Sequence, residues 1–164
     1  MSATAELNPA VEQAKQYVIM SKGRMLKTFS FVPDDKLNWS PAPGSKSALR
    51  IVAHCALSNG TFQMIVKGEP FPEMSRDQMM AMMEQRETAI TTRQEALDLL
   101  ESSTDAFLAA LDGLTQDQID SIVETPVFTA PMAFWMNLPG RHMDNHASQI
   151  DYVQTCWGDM EWHM

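Results

Sequence analysis

The stretch from Met132 to Trp157, MAFWMNLPGRHMDNHASQIDYVQTCW, reads as the last long helix of the chain and holds two of its four histidines. Pro139-Gly140 falls inside it, so a kink or restart is expected there. Working outward, helical periodicity covers most of the sequence. From Pro9 to about Phe31, Val11, Ala14, Val18, Met25 and Phe29 recur at three-, four- or seven-residue steps, with Pro9 suited to a first turn. Ser47 caps a second helix through Leu49, Val52, Ala53 and Ala56 to Lys67, closed by Gly68 and Pro70. Ser75 with Gln78, Thr92 with Glu95 and Thr115 with Gln118 each have the spacing of a reciprocal helix cap. They open a short helix from Arg76 to Glu84, a long one through Leu97, Leu100, Phe107, Leu111 and Leu114, and a brief turn to Val123. Asp35 to Lys46, with Pro41, Pro43 and Gly44 around Trp39, is an irregular loop expected across one end. Glu124 to Thr129 reads as a loop or extended connector. No run alternates with period two for long enough to demand a sheet. The expected fold is all-α, an antiparallel four-helix bundle with short extra helices, in one domain over residues 1–164.

Composition narrows the function classes. The 12 Lys and Arg against 21 Asp and Glu leave a net charge of −9, which repels phosphate backbones and anionic headgroups. Neither nucleic acid nor a membrane is an expected partner. A hydrophobic share of 45% with 20% charged residues excludes an intrinsically disordered chain. No segment reaches the roughly 18 apolar residues of a spanning helix, and MSATAELNPAVEQAKQ has no apolar stretch behind a basic start. Cys55 and Cys156 are too few for a disulfide framework and suit a reducing compartment as small buried groups, so a cytoplasmic location is expected. Among 14 methionines, Met79, Met80, Met82 and Met83 crowd together, and their expected role is helix packing.

The chemistry concentrates on histidine. In His142-Met143-Asp144-Asn145-His146, four steps of about 100° return to within about 40°, so both imidazoles leave one face of the helix a turn apart. They suit either a shared metal ion or two separately hydrogen-bonded rings. Asp144 projects about 200° away from His142, which makes it a poor co-ligand. The zinc-protease pattern places Glu directly after the first histidine, and Met143 stands there instead. His54 lies mid-helix in Ile51-Val52-Ala53-His54-Cys55-Ala56-Leu57, where an unpartnered imidazole is costly to bury. A backbone carbonyl or a second helix could satisfy it. Cys55 points about 100° from His54 and reads as core. His163 is expected to be mobile near the carboxyl terminus. Trp39, Trp135, Trp157 and Tyr152 suit packing or a pocket wall equally.

The segment Leu37-Asn38-Trp39-Ser40-Pro41-Ala42-Pro43-Gly44-Ser45, followed by Val52-Ala53-His54, resembles the loop and second helix of the DinB/YfiT-like superfamily. His142-Met143-Asp144-Asn145-His146-Ala147-Ser148-Gln149-Ile150-Asp151-Tyr152 resembles that superfamily's last helix, and the order and spacing of both motifs agree over nearly the whole chain. The resemblance implies a bundle of up-up-down-down or similar topology. It also implies a divalent metal, most often nickel or zinc, held by His54, His142 and His146. Three neutral imidazoles leave coordination positions open, as a catalytic site requires. Gln149, one turn beyond His146, is placed to support that ring or a substrate, or to serve as a structural amide.

Some branches of the superfamily are enzymes that transfer a low-molecular-weight thiol such as mycothiol, bacillithiol or glutathione to a small electrophile. The implied function is therefore metal-dependent, S-transferase-like chemistry on a small-molecule substrate, within a broader transferase- or hydrolase-like class. The alternative is a non-catalytic, metal- or ligand-binding stress-response dimer, and a homodimer is the family-level expectation in either case. Arg50 and Arg141 are the only cations read as candidates for thiol recognition.

Overall fold

Asn8 opens the first helix, α1 (Pro9–Ser30), by accepting the Ala10 N–H at 2.8 Å, with Pro9 in the first turn. The computed structural model describes residues 8–163. A 3-10 turn at Asp34–Lys36 precedes α2 (Ala48–Lys67), capped by Ser47 and stopped by Gly68 at φ 68°. The helices α3 (Arg76–Ala89), α4 (Arg93–Asp112) and α5 (Gln116–Ile119) each begin with the reciprocal cap expected from sequence. A two-stranded hairpin, β1 (Ile122–Glu124) with β2 (Thr129–Pro131), leads into α6 (Met132–Cys156).

Pairs of side chains between the helices set their directions. Lys15 meets Asp112 at 2.5 Å, Lys22 meets Glu101 at 2.8 Å and Arg93 reaches the Phe29 carbonyl at 3.0 Å, so α1 and α4 are antiparallel. Asn59 bonds Ser103 and Thr104, and Gln63 bonds Ala106, so α2 and α4 are parallel. Tyr17 lies beside Gly140, Arg24 pairs with Asp144 and Gln154 bonds Thr28, so α1 and α6 are parallel too. His54 meets His146 while Phe62 meets His142, which makes α2 and α6 antiparallel. The four long helices therefore run up-down-down-up, with α1–α6 and α2–α4 as parallel neighbours, where the helical pattern alone implied an antiparallel bundle.

The reason lies in α3. Parallel neighbours α2 and α4 need a return crossing, and α3 supplies it by running back along α2. Its Glu87 sits among Lys46, Arg50 and His54, while Met79 and Met83 lie beside Gly60 and Thr61 farther along. It extends to Ala89, beyond the expected end at Glu84.

Phe29, Phe107, Met25, Leu49, Leu100 and Leu111 fill the centre with Met136, Met143 and Ile150 of α6. No restart occurs at Pro139, because α6 continues unbroken to Cys156. Gly140 instead allows close approach of α1: a Cβ there would lie 2.8 Å from Tyr17 Cδ1.

Three further expectations are corrected. The helical turn expected to reach Val123 ends at Ile119. Residues 122–131 form a hairpin, its turn within the expected loop or extended connector and closed by Thr125 Oγ1 donating to the Phe128 carbonyl at 2.8 Å. Its three-residue strands are too short to leave an alternating pattern. His163 is buried, stacked on Phe31 at 4.3 Å and 2.9 Å from Asp159. Cys156 is exposed, whereas Cys55 is buried as expected. Among the described residues no helix is long and apolar enough to cross a membrane.

Candidate metal centre

His54 projects from the second turn of α2, and His142 and His146 project from adjacent turns of α6. The antiparallel packing of these two helices brings all three rings together. Ring centroids lie 5.0 Å apart for His54–His142, 5.0 Å for His54–His146 and 4.5 Å for His142–His146. One nitrogen from each can be chosen so that all lie within 4.8 Å of one another. The Nε2 atoms of His142 and His146 are 3.1 Å apart. Two imidazole nitrogens bound to one ion at about 2.0–2.1 Å stand about 3 Å apart, so this spacing fits a shared cation.

The outer nitrogens are held from behind. His54 Nδ1 lies 2.8 Å from Glu87 Oε1, and His146 Nδ1 lies 2.7 Å from Gln149 Oε1. Carboxylate and amide oxygens both accept, so each contact places the proton on Nδ1 and leaves the Nε2 lone pair facing inward. His142 Nδ1 is buried without a partner among the described residues, while Phe62 packs edge-on to its ring at 5.5 Å. Burial, followed by the neighbouring His146 and His54 rings, pushes His142 from 6.5 down to about 3. His146 is lowered as well, mainly by burial, with the Gln149 hydrogen bond opposing in part. Both are therefore neutral near pH 7, the form that donates to a metal. The donor set fits a divalent ion of borderline softness.

Glu87 is the residue that the sequence reading missed. It is 1% exposed, and its second oxygen contacts the Lys46 ammonium, with Arg50 Nη2 at 3.3 Å. Burial pushes its carboxyl up, but hydrogen bonds from Lys46 and His54 with the Lys46 charge outweigh this and hold it below the usual range. The available signal was the four-residue spacing Met79, Met83, Glu87, a stripe that needs α3 to continue past Glu84.

Other sequence candidates lie elsewhere. Asp144 pairs with Arg24 at 2.7 Å, and Arg141 is exposed. Trp39 packs edge-on to Trp157, Trp135 stacks with Phe128, and Tyr152 is exposed. Arg50, by contrast, lines a cavity of about 540 Å³ beside His54, together with Lys46, Met79, Met83 and Glu87. Of the three rings, His54 lines this space, which is large enough for a small molecule.

Comparison with solved structures places the bundle in a known fold. A mycothiol-dependent maleylpyruvate isomerase superposes with a TM-score of 0.71 at 17% identity, over 92% of this chain and 63% of its own. This chain thus spans less than two thirds of that enzyme. YfiT from Bacillus subtilis, described as a probable metal-dependent hydrolase with an unusual four-helix bundle topology, gives a TM-score of 0.70 at 16% identity, covering 96% of this chain and 94% of that one. A DinB-like protein, YjoA, also from Bacillus subtilis, gives 0.64 at 16% identity, covering 93% and 96%. No curated protein matches the sequence. The profile of the DinB superfamily matches residues 19–150. The chain belongs to the DinB superfamily.

Proposed function

We propose that the chain is a divalent-metal-dependent enzyme that joins a low-molecular-weight thiol to a small electrophile. The observation that carries this reading is a cluster of three converging imidazoles, one of which, His54, lines a cavity together with two cations, Lys46 and Arg50. In a chain of net charge −9, Lys46 and Arg50 form a local pair of cations shared between Glu87 and Glu84, and an anionic thiol cosubstrate would compete for the same donors. The names of two structural neighbours, a mycothiol-dependent isomerase and a probable metal-dependent hydrolase, point to the same broad chemistry.

His54, His142 and His146 would hold the ion, with nickel or zinc the best match to three imidazoles. When bound, it supplies a Lewis acid that lowers the pKa of a thiol and so raises its nucleophilicity near neutral pH. Glu87 and Gln149 orient two of the rings. Lys46 and Arg50 are placed to attract the carboxylates of glutathione or bacillithiol, or to donate to the hydroxyls of uncharged mycothiol, and the half-buried Met79 and Met83 exclude water from one side of the cavity. The thiol loses its proton to solvent, its sulfur bonds to the electrophilic carbon, and the leaving group departs with the bonding pair. No protein nucleophile takes part.

The test begins with elemental analysis of the protein beside a His54→Ala/His142→Ala/His146→Ala variant. About one ion per chain, lost in the variant, is the expected result. Reconstituted protein is then given mycothiol, bacillithiol or glutathione with monobromobimane, and conjugates are measured by mass spectrometry. Metal-dependent conjugation above the solution rate supports the reading. Bound metal without conjugation by any thiol overturns it and leaves a non-catalytic metal-binding protein.

A further inference from the structure

A second cavity, of about 270 Å³, lies between α2, α3 and the segment joining them. Five methionines face it: Met64 from α2, Met74 from the connector, and Met79, Met82 and Met83 from α3. Phe71 adds one ring. Met79 and Met83 also line the cavity beside His54, so the two spaces share a wall of two flexible thioethers. α3 packs loosely here, for Glu87 is its only buried residue. Helix packing, the expected role of this methionine cluster, therefore does not fill the space.

The floor is equally open. Gly60 lines the cavity in mid-α2, and a Cβ built there meets nothing within 4 Å. A leucine-, isoleucine- and phenylalanine-lined cavity of about 150 Å³ is enough to hold a benzene ring. This one is nearly twice that size. Thioethers make favourable contacts with ring edges and adapt their rotamers to an entering group.

We infer that the methionine-lined cavity is a binding subsite for an uncharged aromatic group, adjoining the cavity that His54 lines. Resting on the function proposed above, it receives the aromatic portion of the electrophile, while Met79 and Met83 form the passage from one cavity to the other.

The binding is tested without metal or thiol, by adding toluene to full-length protein carrying methyl-¹³C methionine. Shifts concentrated at Met64, Met74, Met79, Met82 and Met83 are expected, with the exposed Met20 and Met160 unmoved. Gly60→Leu, which fills the cavity, should weaken toluene affinity by about tenfold or more. Gly60→Ala should retain binding, and so should Gly23→Leu, at an open helical position of α1 outside the cavity. Shifts spread evenly over all methionines, no shifts, or undiminished binding in a folded Gly60→Leu protein would overturn the subsite.

A second measurement separates this from the proposed function. With metal and thiol present, Gly60→Leu should lower the preference for benzyl over allyl bromide by about tenfold. Toluene binding without any thiol transfer would overturn the enzymatic reading and leave the subsite standing. Transfer without toluene binding would do the reverse.

Discussion

Glu87 Oε1 lies 2.8 Å from His54 Nδ1, so a carboxylate on α3 sets the orientation of an imidazole on α2 from 33 positions away in sequence. Lys46 holds the other carboxylate oxygen. The crossing helix that gives the bundle its direction thus also orients one of the three rings, so topology and site share the same helix.

Glu87→Ala should therefore weaken metal binding by about 10- to 100-fold, the range for loss of a carboxylate behind a histidine ligand. Glu87→Gln should lose less, because its amide oxygen can still accept from Nδ1. Gln149→Ala should also have the smaller effect, since Gln149 is exposed and water can replace its oxygen at His146. Competition against a chromophoric chelator measures all three. Equal affinity in Glu87→Ala and the unaltered protein would show that the contact does not support the ring.

The metal-free protein should lose stability as the pH falls. His142 is held near 3 in the fold against 6.5 as its ordinary value, so the unfolded chain takes up that proton first. Its contribution is fully present above about pH 6.5 and declines steadily toward pH 3. His146 acts in the same direction. Urea midpoints should drop between about pH 7.5 and 5, and the drop should be smaller in His142→Gln. An identical drop in that variant would locate the proton uptake elsewhere.

The sequence made the long helices and their starts legible because caps are local. Ser75–Gln78, Thr92–Glu95 and Thr115–Gln118 all form as the spacing predicts. The proximity of His142 and His146 follows from a single turn of helix. Helix direction was not legible, because it depends on whether α3 crosses back along α2, and α3 buries only Glu87 while its four methionines spread around the helix without marking one face. Glu87 was hidden for the same reason, as its partners Lys46, Arg50 and His54 belong to another segment. The hairpin left no signal, since three residues cannot establish a period.

Glycine substitutions should divide by the space available to a new methyl group. At Gly140 a Cβ meets Tyr17 Cδ1 at 2.8 Å, Cε1 at 3.0 Å and Cγ at 3.2 Å, so the whole edge of the ring would have to move. Displacing that ring costs about 1–3 kcal/mol, which outweighs the helix-propensity gain of about 1 kcal/mol. Gly140→Ala should lower the urea midpoint. At Gly23 nothing lies within 4 Å, so Gly23→Ala should raise stability by about 0.5–1 kcal/mol. The same sign at both positions would contradict the close α1–α6 approach.

The two cysteines test where the reactive sulfur comes from. Cys55 follows His54 in sequence, yet it is buried in the core, and burial followed by the Glu87 charge pushes its thiol far above the ordinary range. It cannot ionise near neutral pH. Cys156 is exposed, but ten residues of helix, about 15 Å, separate it from His146. In native protein, dithionitrobenzoate should therefore release one equivalent per chain, and a second only after unfolding. If the nucleophile is an external thiol, Cys156→Ser should leave metal-dependent conjugation unchanged. Loss of conjugation in that variant, with metal still bound, would mean that the protein supplies the sulfur itself.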